Sequence, residues 1–287
     1  MICPSSNPSI LIAGCGYTGK KIAAFFLNQK FEVYGIVRHP ESARELKHLG
    51  IHPLCLDIRN RESLGVIPKT RFAIFCPSPG KNQSYSDVYE TGIKNLLETL
   101  KSIGHRPELI LYLSSTGVWG DKNGKWVDET ETLYGNSEKS KILVRSEKQI
   151  LNSGFPAIVF RLGGIYGPGR NRIQSVSENQ PIEKSFDSFI NLIHVEDIAR
   201  ATAYLIEKGE KQTVYLGVDE EPVKQSEYYS WIYNQLNRAF PNPFDSSLVQ
   251  GKRCSNKRLK SLGFQFQFPT FREGYTSMLK NYSTVNS

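Results

Sequence analysis

The stretch from Ser9 to Arg38, SILIAGCGYTGKKIAAFFLNQKFEVYGIVR, contains the pattern that decides the fold. Its opening segment SILIA is a short apolar run typical of a buried strand, and the glycine-rich segment GCGYTG follows directly. The next segment, KKIAAFFLNQ, has the length and composition of a helix, and FEVYGIVR has the character of a second strand. This order of elements predicts a β-α-β unit with parallel strands.

The same alternation continues outward from this unit. The segments HPLCLD, RFAIFCP, ELILYLSS and AIVFRLGGIYG predict further strands, and VYETGIKNLLETLKSIG predicts a helix between two of them. From Pro168 a polar segment, GPGRNRIQSVSENQPIEKSFDS, predicts a surface loop, and two later segments predict helices. We therefore expect an α/β fold, with a Rossmann-type doubly wound parallel sheet in residues 1–167, to which later elements return. Residues 168–287 are expected to form mainly a small α/β substrate lobe.

The glycines Gly14, Gly16 and Gly19 form a GxGxxG motif between the first strand and the first helix. In this context a dinucleotide pyrophosphate can approach bare backbone and the positive end of a helix. Tyr17 and Thr18 are predicted at the tip of the loop. A chance glycine turn is the alternative, but the flanking strand, helix and second strand favour an NAD(P)-binding domain.

The residue after the second strand bears on cofactor choice. NAD-selective sites commonly have an acidic residue there, whereas this strand ends GIVRHP and presents Arg38. A guanidinium can pair with a 2′-phosphate, so NADP(H) is the preferred cofactor, with NAD(H) as the alternative and a solvated loop arginine as the plainer interpretation. Asp57 is expected to contact adenine or to cap its own loop, and Cys76 to lie near the cofactor path.

Composition narrows the class of protein. Five scattered cysteines without a C-x-x-C pair suggest neither a disulfide framework nor a metal site, and favour the cytoplasm. The opening segment MICPSSNPSILIAG has neither the basic start nor the long apolar stretch expected of a signal peptide, and no apolar run approaches the roughly 20 residues that cross a bilayer. The net charge of +8 could favour the phosphates of a nucleotide cofactor, an acidic substrate or nucleic acid, and charge alone does not choose among them. The basic segment GKRCSNKRLKSLGF predicts a short solvated helix better than a nucleic-acid surface.

Several motifs together carry a family likeness, and their order along the chain is intact. The segments LIAGCGYTG, LYLSSTGVWGD, VFRLGGIYGPGR, NLIHVEDIA and RCSNKRLKSLGFQFQFP resemble the extended short-chain dehydrogenase/reductases, the NAD-dependent epimerase/dehydratase group, especially its atypical members. The likeness runs from about Ser9 to Gly274. It implies a catalytic hydroxyl at Ser115, although the same hydroxyl could merely cap backbone at the strand end.

The resemblance also implies a Tyr-x-x-x-Lys pair one helical turn apart, and this chain lacks it. Tyr134 is followed four residues later by Glu138, whereas Lys139 and Lys141 are five and seven residues on. A second count, made backward from Glu147, puts the family's tyrosine near Lys139 and its lysine near Leu143.

Three interpretations of this segment follow. In the first, Tyr134 acts as acid or base with help from Lys139 or Lys141; in the second, Lys141 serves alone. In the third, the segment is an exposed helix start capped by Ser137 or Asn136.

The loop after Tyr166 supplies the remaining candidates, since Arg170 and Arg172 could clamp an anionic group of a substrate. The resemblance thus implies an NADP(H)-binding oxidoreductase or epimerase/dehydratase-like enzyme acting on a small carbonyl or hydroxyl substrate. A homodimer is usual for such proteins. The missing pair supports a different hypothesis, a non-catalytic NAD(P)-binding sensor or scaffold.

Overall fold

A computed structural model describes residues 8–80, 82–133, 135 and 137–286 of the chain. Its centre is a seven-stranded sheet in the order β11-β7-β5-β4-β1-β2-β3. Strands β1 and β2, β2 and β3, β1 and β4, and β4 and β5 all pair in parallel. The α/β fold with a Rossmann-type sheet predicted from the sequence is confirmed.

The strands and helices have the following bounds. The strands are β1 (Ser9–Ala13), β2 (Glu32–Val37), β3 (His52–Cys55), β4 (Phe72–Phe75), β5 (Leu109–Ser115), β6 (Trp126–Val127), β7 (Ala157–Leu162), β8 (Gly164–Tyr166), β9 (Ser185–Ile190), β10 (Leu192–His194), β11 (Thr213–Gly217), β12 (Val223–Lys224), β13 (Phe244–Gly251) and β14 (Arg253–Cys254). The α-helices are α1 (Tyr17–Asn28), α2 (Pro40–His48), α3 (Ile93–Ser102), α4 (Glu138–Leu151), α5 (Ile173–Ser177), α6 (Val195–Lys208), α7 (Gln225–Gln235), α8 (Lys257–Ser261) and α9 (Phe271–Asn286). A π-helical turn, Asp87–Gly92, precedes α3.

The central strands are buried on both faces, which explains their largely apolar sequences. All four residues of β4 and all six of β7 are buried, as are the last four residues of β1. Strands covered on both sides need apolar residues at every position rather than at alternate ones. Because β1, β4 and β5 pair in parallel, their carboxyl ends lie at one edge of the sheet, together with the loops that follow them.

The chain divides into two compact units. The first comprises residues 1–118, 133–161 and 198–215, and the second comprises residues 119–132, 162–197 and 216–287. The chain therefore passes from one unit to the other five times, after residues 118, 132, 161, 197 and 215. The first unit contains most of the seven-stranded sheet. The second has its own core, rich in aromatic side chains such as Tyr166, Tyr228, Phe271 and Tyr275.

One prediction about the second unit is wrong. The polar segment that follows Gly167 was expected to be a surface loop, yet it contains α5 and β9. Strand β9 pairs with β12 and β13, and its Ile190 packs against the core of the second unit. Within the described part of the chain, no helix combines the length and the apolar character required to cross a bilayer.

Candidate functional site

The glycine loop after β1 is shaped by close contact with the end of β4. Gly14 has a φ of +97°, and a Cβ there would lie 2.5 Å from the carbonyl oxygen of Cys76. A side chain at Gly14 is thus excluded both by the backbone conformation and by space. The backbone amide of Cys15 donates to the Ile36 carbonyl at 2.9 Å, which ties the loop to β2 as well.

The other two glycines of the motif differ in their surroundings. A Cβ at Gly19 would lie 2.7 Å from the Gly14 carbonyl oxygen, so this glycine allows α1 to pack closely against the loop. A Cβ at Gly16 would meet no described atom within 4 Å. Gly16 is the N-cap residue of α1 and has no side chain to cover the helix end. The loop therefore leaves its outer side accessible to an anion that approaches the amino end of α1.

Cys76 closes the inner side of this loop. Its thiol lies 3.1 Å from the Gly14 carbonyl oxygen, and desolvation raises the pKa of the thiol well above its usual value. A thiol in this state is a packing group and not a nucleophile. Tyr17 and Thr18 belong to the first turn of α1 and not to the loop itself, and their contact with a cofactor stays a prediction.

Arg38 is exposed and follows directly after β2. Its guanidinium lies beside Gly80 in the segment after β4, where a Cβ on Gly80 would be 2.9 Å from a terminal guanidinium nitrogen. Asp57 instead pairs with Arg59 at 2.6 Å and accepts the Arg59 backbone amide, which caps its loop. This pairing with Arg59 is the main reason that the pKa of Asp57 falls below its usual value. Among the described residues, the Arg38 guanidinium has no hydrogen-bond or ion-pair partner, although the charge of Arg38 contributes to the lowered pKa of Asp57.

Ser115 lies at the carboxyl end of β5, half-buried. Its Oγ accepts a hydrogen bond from the Gly117 amide at 3.0 Å, so the backbone-capping role is present in the structure. The hydroxyl proton is still available to a second partner, since a serine hydroxyl both donates and accepts. The role of Ser115 in catalysis stays a prediction.

The helix start next to the predicted dyad has clear geometry. Ser137 is the N-cap of α4 and forms a capping box with Ser140, in agreement with one of the three interpretations. The amine of Lys141 pairs with Glu138 at 2.8 Å, and its side chain is 51% exposed. Tyr134 and Asn136 lie outside the described residues. The structure does not bring Lys141 toward Ser115, because its amine is engaged at the exposed helix start.

The inward face of α4 carries a buried ion pair. Glu147 accepts from Arg161 at 2.7 Å and from the Ser114 hydroxyl at 2.6 Å, and all three residues are buried. The triad fixes α4 against β5 and β7. One turn toward the amino end, Leu143 is also buried, and a Cβ on Gly117 would touch both Leu143 and the Ser115 hydroxyl. The α4 face that carries Leu143 and Glu147 is therefore the face beside Ser115.

A tyrosine pair that our sequence interpretation missed lies in the segment after β4. The rings of Tyr85 and Tyr89 have centroids 4.8 Å apart, and the amine of Lys139 lies 5.7 Å from the centre of the Tyr85 ring. Burial is the main reason that the pKa of Tyr89 is raised. The sequence does place Tyr85 after the fourth strand, at the same sheet edge as Ser115. It contains no spacing rule, however, that links Tyr85 to Lys139, 54 positions away.

The second unit contains the predicted substrate arginines. Arg170 forms an isolated β-bridge with Gly167, while the Arg172 amide donates to the Tyr275 hydroxyl at 3.1 Å. Arg172 also borders a cavity of about 390 Å³ whose polar lining includes Gln180, Gln225 and Tyr229. Only Arg172 of the two borders this cavity, and the role of both in substrate binding stays a prediction.

The parallel sheet, the glycine loop after β1 and the helix that follows define a Rossmann-type α/β protein. Residues 10–217 match the sequence profile of the NAD dependent epimerase/dehydratase family, and the chain belongs to this family. The family likeness inferred from the sequence motifs is confirmed.

Individual relatives agree with this assignment. Protein YeeZ of Escherichia coli K12 is 22% identical over 272 residues, which cover 91% of this chain and 96% of that protein. A solved structure from Methylobacillus flagellatus, assigned to the NAD-dependent epimerases/dehydratases, is 26% identical with a TM-score of 0.80 and covers 97% of this chain and 100% of that chain. The dTDP-glucose 4,6-dehydratase of Bacillus anthracis, solved in complex with NAD, shares the fold at 18% identity and a TM-score of 0.80, with 96% and 97% of the two chains covered.

Proposed function

We propose that the protein is an NADP(H)-dependent oxidoreductase or epimerase/dehydratase-like enzyme acting on a small carbonyl or hydroxyl substrate. The observation that carries this proposal is the glycine loop, where packing excludes side chains at Gly14 and Gly19 while Gly16 faces open space at the amino end of α1. This arrangement fits a dinucleotide pyrophosphate, which needs close access to backbone amides. The NAD complex of the Bacillus anthracis relative supports the same assignment.

Arg38 supports NADP(H) over NAD(H) as the cofactor. Its guanidinium follows β2, where the adenosine ribose of a bound dinucleotide is recognised in this fold, and it has no ion-pair partner among the described residues. A free guanidinium can form a charge-assisted fork with a 2′-phosphate, whereas it gains nothing comparable from a ribose hydroxyl. Asp57 is proposed to border the adenine, and Cys76 and the segment after it to border the cofactor path.

The chain's own groups would then act at the substrate. A nicotinamide bound here supplies or accepts a hydride. The Ser115 hydroxyl hydrogen-bonds the reacting oxygen of the substrate and orients it. Arg170 and Arg172 are proposed to bind an anionic substrate group. The four described cysteines are free thiols, which suits a reducing compartment such as the cytoplasm, and the family likeness favours a homodimer.

Isothermal titration calorimetry with NADPH and NADH at one salt concentration tests this function. We expect tight NADPH binding, and we expect Arg38→Gln to lower the NADPH to NADH affinity ratio by about 10- to 100-fold, the usual worth of hydrogen bonds to a charged group. Arg44→Gln is the matched control, because Arg44 is an exposed arginine on α2 that pairs with Glu41. An unchanged ratio in Arg38→Gln would reject NADP(H) selectivity, and no binding of either dinucleotide would reject the function as a whole.

A non-catalytic NADP(H) sensor is the second candidate, and the residue at position 143 favours it. Leu143 occupies the α4 face beside Ser115, and its apolar side chain supplies neither an acid nor a base there. For a sensor, affinity for a protein partner differs between the NADP⁺-loaded and NADPH-loaded forms. Reduction of any member of a panel of aldehydes and ketones, with loss of NADPH absorbance, decides for the enzyme.

A further inference from the structure

We propose that Lys139 and Tyr85 form the proton-transfer pair of this site, with the lysine contributed by α4 and the tyrosine by the segment after β4. The inference rests on the proposed NADP(H)-dependent function and names the groups that would carry its protons. It replaces a pair on one helix by a pair formed between two elements.

The orientation of α4 places Lys139 on the same helix face as Leu143 and Glu147. Lys139, Leu143 and Glu147 are spaced four residues apart, so they follow one another along a single helix face. Two members of this row lie at the end of β5. Glu147 accepts a hydrogen bond from the Ser114 hydroxyl. The Leu143 side chain and the Ser115 hydroxyl both lie within 4 Å of the position that a Cβ on Gly117 would occupy. Lys139 lies one turn further toward the amino end of the same face. Lys141 is two residues from either neighbour in the row and therefore projects about 200° away around the helix.

Lys139 contacts the ring of Tyr85. Its amine lies 5.7 Å from the centre of the Tyr85 ring, within the range of a cation–π interaction. Lys139 is exposed and Tyr85 is half-buried, so the pair is in contact with both solvent and the protein interior. A phenol can serve as the general acid that carbonyl reduction needs besides a hydride donor, and a nearby ammonium group favours the phenolate that proton donation leaves.

The segment that contains Tyr85 is held against α4. The Glu90 carboxylate pairs with Arg145, and the Ser146 hydroxyl donates to the Tyr89 carbonyl at 2.8 Å. Both contacts join the π-helical turn to α4, and such turns often mark functional positions in helices. Tyr85 directly precedes this turn. Its position relative to Lys139 therefore depends on these two contacts as well as on the contact between the Lys139 amine and the Tyr85 ring.

Carbonyl reduction at this pair combines a hydride transfer with a proton transfer. In the reducing direction a hydride forms the new C–H bond at the carbonyl carbon, and the π electrons of the C=O bond pass to the oxygen. The Tyr85 hydroxyl donates its proton to that oxygen, so the substrate leaves as an alcohol. Lys139 returns a proton to the phenolate and recovers one from solvent, to which it is exposed. Alcohol oxidation follows the same steps in reverse.

Competitive acetylation of the whole protein with acetic anhydride, read by mass spectrometry with and without NADPH, tests this pair without any substrate. Lys139 and Lys141 form a matched set, because both are exposed and lie two residues apart on the same helix. At NADPH concentrations of about 100 times Kd, we expect acetylation of Lys139 to slow by at least tenfold while Lys141 changes little. Equal reactivity of the two lysines, or protection of Lys141 alone, would overturn the proposal.

Calorimetry on the same sample separates two kinds of failure. If NADPH does not bind, the proposed function is wrong; if NADPH binds and Lys139 stays reactive, only the pair is wrong. For the tyrosine, Tyr85→Phe should lower kcat for reduction of 4-nitrobenzaldehyde by about 10²- to 10⁴-fold with little change in NADPH affinity. Tyr204→Phe is the matched control, because Tyr204 is also half-buried but lies on α6. Full activity in Tyr85→Phe together with loss of activity in Tyr134→Phe would assign the proton to Tyr134 instead.

Discussion

The glycine loop after β1 and the first two turns of α4 both border the carboxyl ends of the parallel strands, but they are constructed differently. The loop depends on backbone geometry, with Gly14 fitted against the Cys76 carbonyl and Gly16 facing open space. The inward face of α4 depends on side chains that reach it from β5, β7 and the segment after β4. A backbone site is encoded by adjacent residues, whereas a side-chain site is assembled from distant ones.

This difference explains how the chain can retain the cofactor loop of its family without the usual spacing of tyrosine and lysine. A change of one residue in the glycine loop alters the backbone path, which tolerates little variation. On α4, by contrast, a lysine and a tyrosine need only meet in space. The contact between Lys139 and Tyr85 shows that such a meeting does not require both residues on one helix.

The largest expected effect comes from breaking the side-chain site at its buried end. Arg161→Leu should lower the free energy of unfolding by about 3–5 kcal/mol, because it leaves the Glu147 carboxylate buried without its ion-pair partner. Urea denaturation followed by circular dichroism measures this change. The control is Arg71→Leu, which removes an exposed pair with Glu108 and should cost less than about 1 kcal/mol. Equal losses in the two variants would mean that the triad does not anchor α4.

A smaller loss is expected from breaking the backbone site. Gly14→Ala should destabilise the protein by about 2–4 kcal/mol, partly through its positive φ and partly through overlap with the Cys76 carbonyl. Gly50→Ala provides the comparison, since Gly50 also has a positive φ of +78° but no described atom within 4 Å of its Cβ position. The loss of unfolding free energy in Gly14→Ala minus the loss in Gly50→Ala measures the cost of the steric overlap at position 14. NADPH affinity should fall only in Gly14→Ala, and a loss in both variants would contradict the account.

The smallest effect concerns the contact that joins the Tyr85 segment to α4. The Arg145 guanidinium holds the pKa of Glu90 below its usual value, so the pair stabilises the folded state above the unfolded pKa of about 4.3. This contribution is lost as pH falls through the lower folded pKa, because the native carboxylate must then take up a proton.

Glu90→Gln should therefore reduce stability by less than about 1 kcal/mol at pH 7 and by less still near pH 3, as expected for a partly exposed pair. Thermal unfolding of both proteins across this pH range measures the difference. A destabilisation that grows toward acid pH would contradict the assigned pairing.

The sequence predicted the backbone features well and the side-chain features poorly. The doubly wound sheet and the position of the glycine loop follow from local patterns, since buried parallel strands have near-continuous apolar sequences and a glycine loop has fixed spacing. Strand β9 was missed because it begins in a polar segment rich in turn formers, whereas its pairing with β12 and β13 joins residues that are distant in sequence. The contact of Tyr85 with Lys139 was missed for a related reason, since no local pattern records which residues meet across the fold.

Hydrogen–deuterium exchange of the protein with and without saturating NADPH tests the central claim most directly, because one experiment reports on both sites. The account predicts slower amide exchange in peptides covering residues 14–20 and in peptides covering the first turn of α4, residues 137–142. Exchange in α2 should be unchanged. Protection of α4 without protection of residues 14–20, or no protection in either region, would contradict the assignment of the glycine loop as the cofactor site.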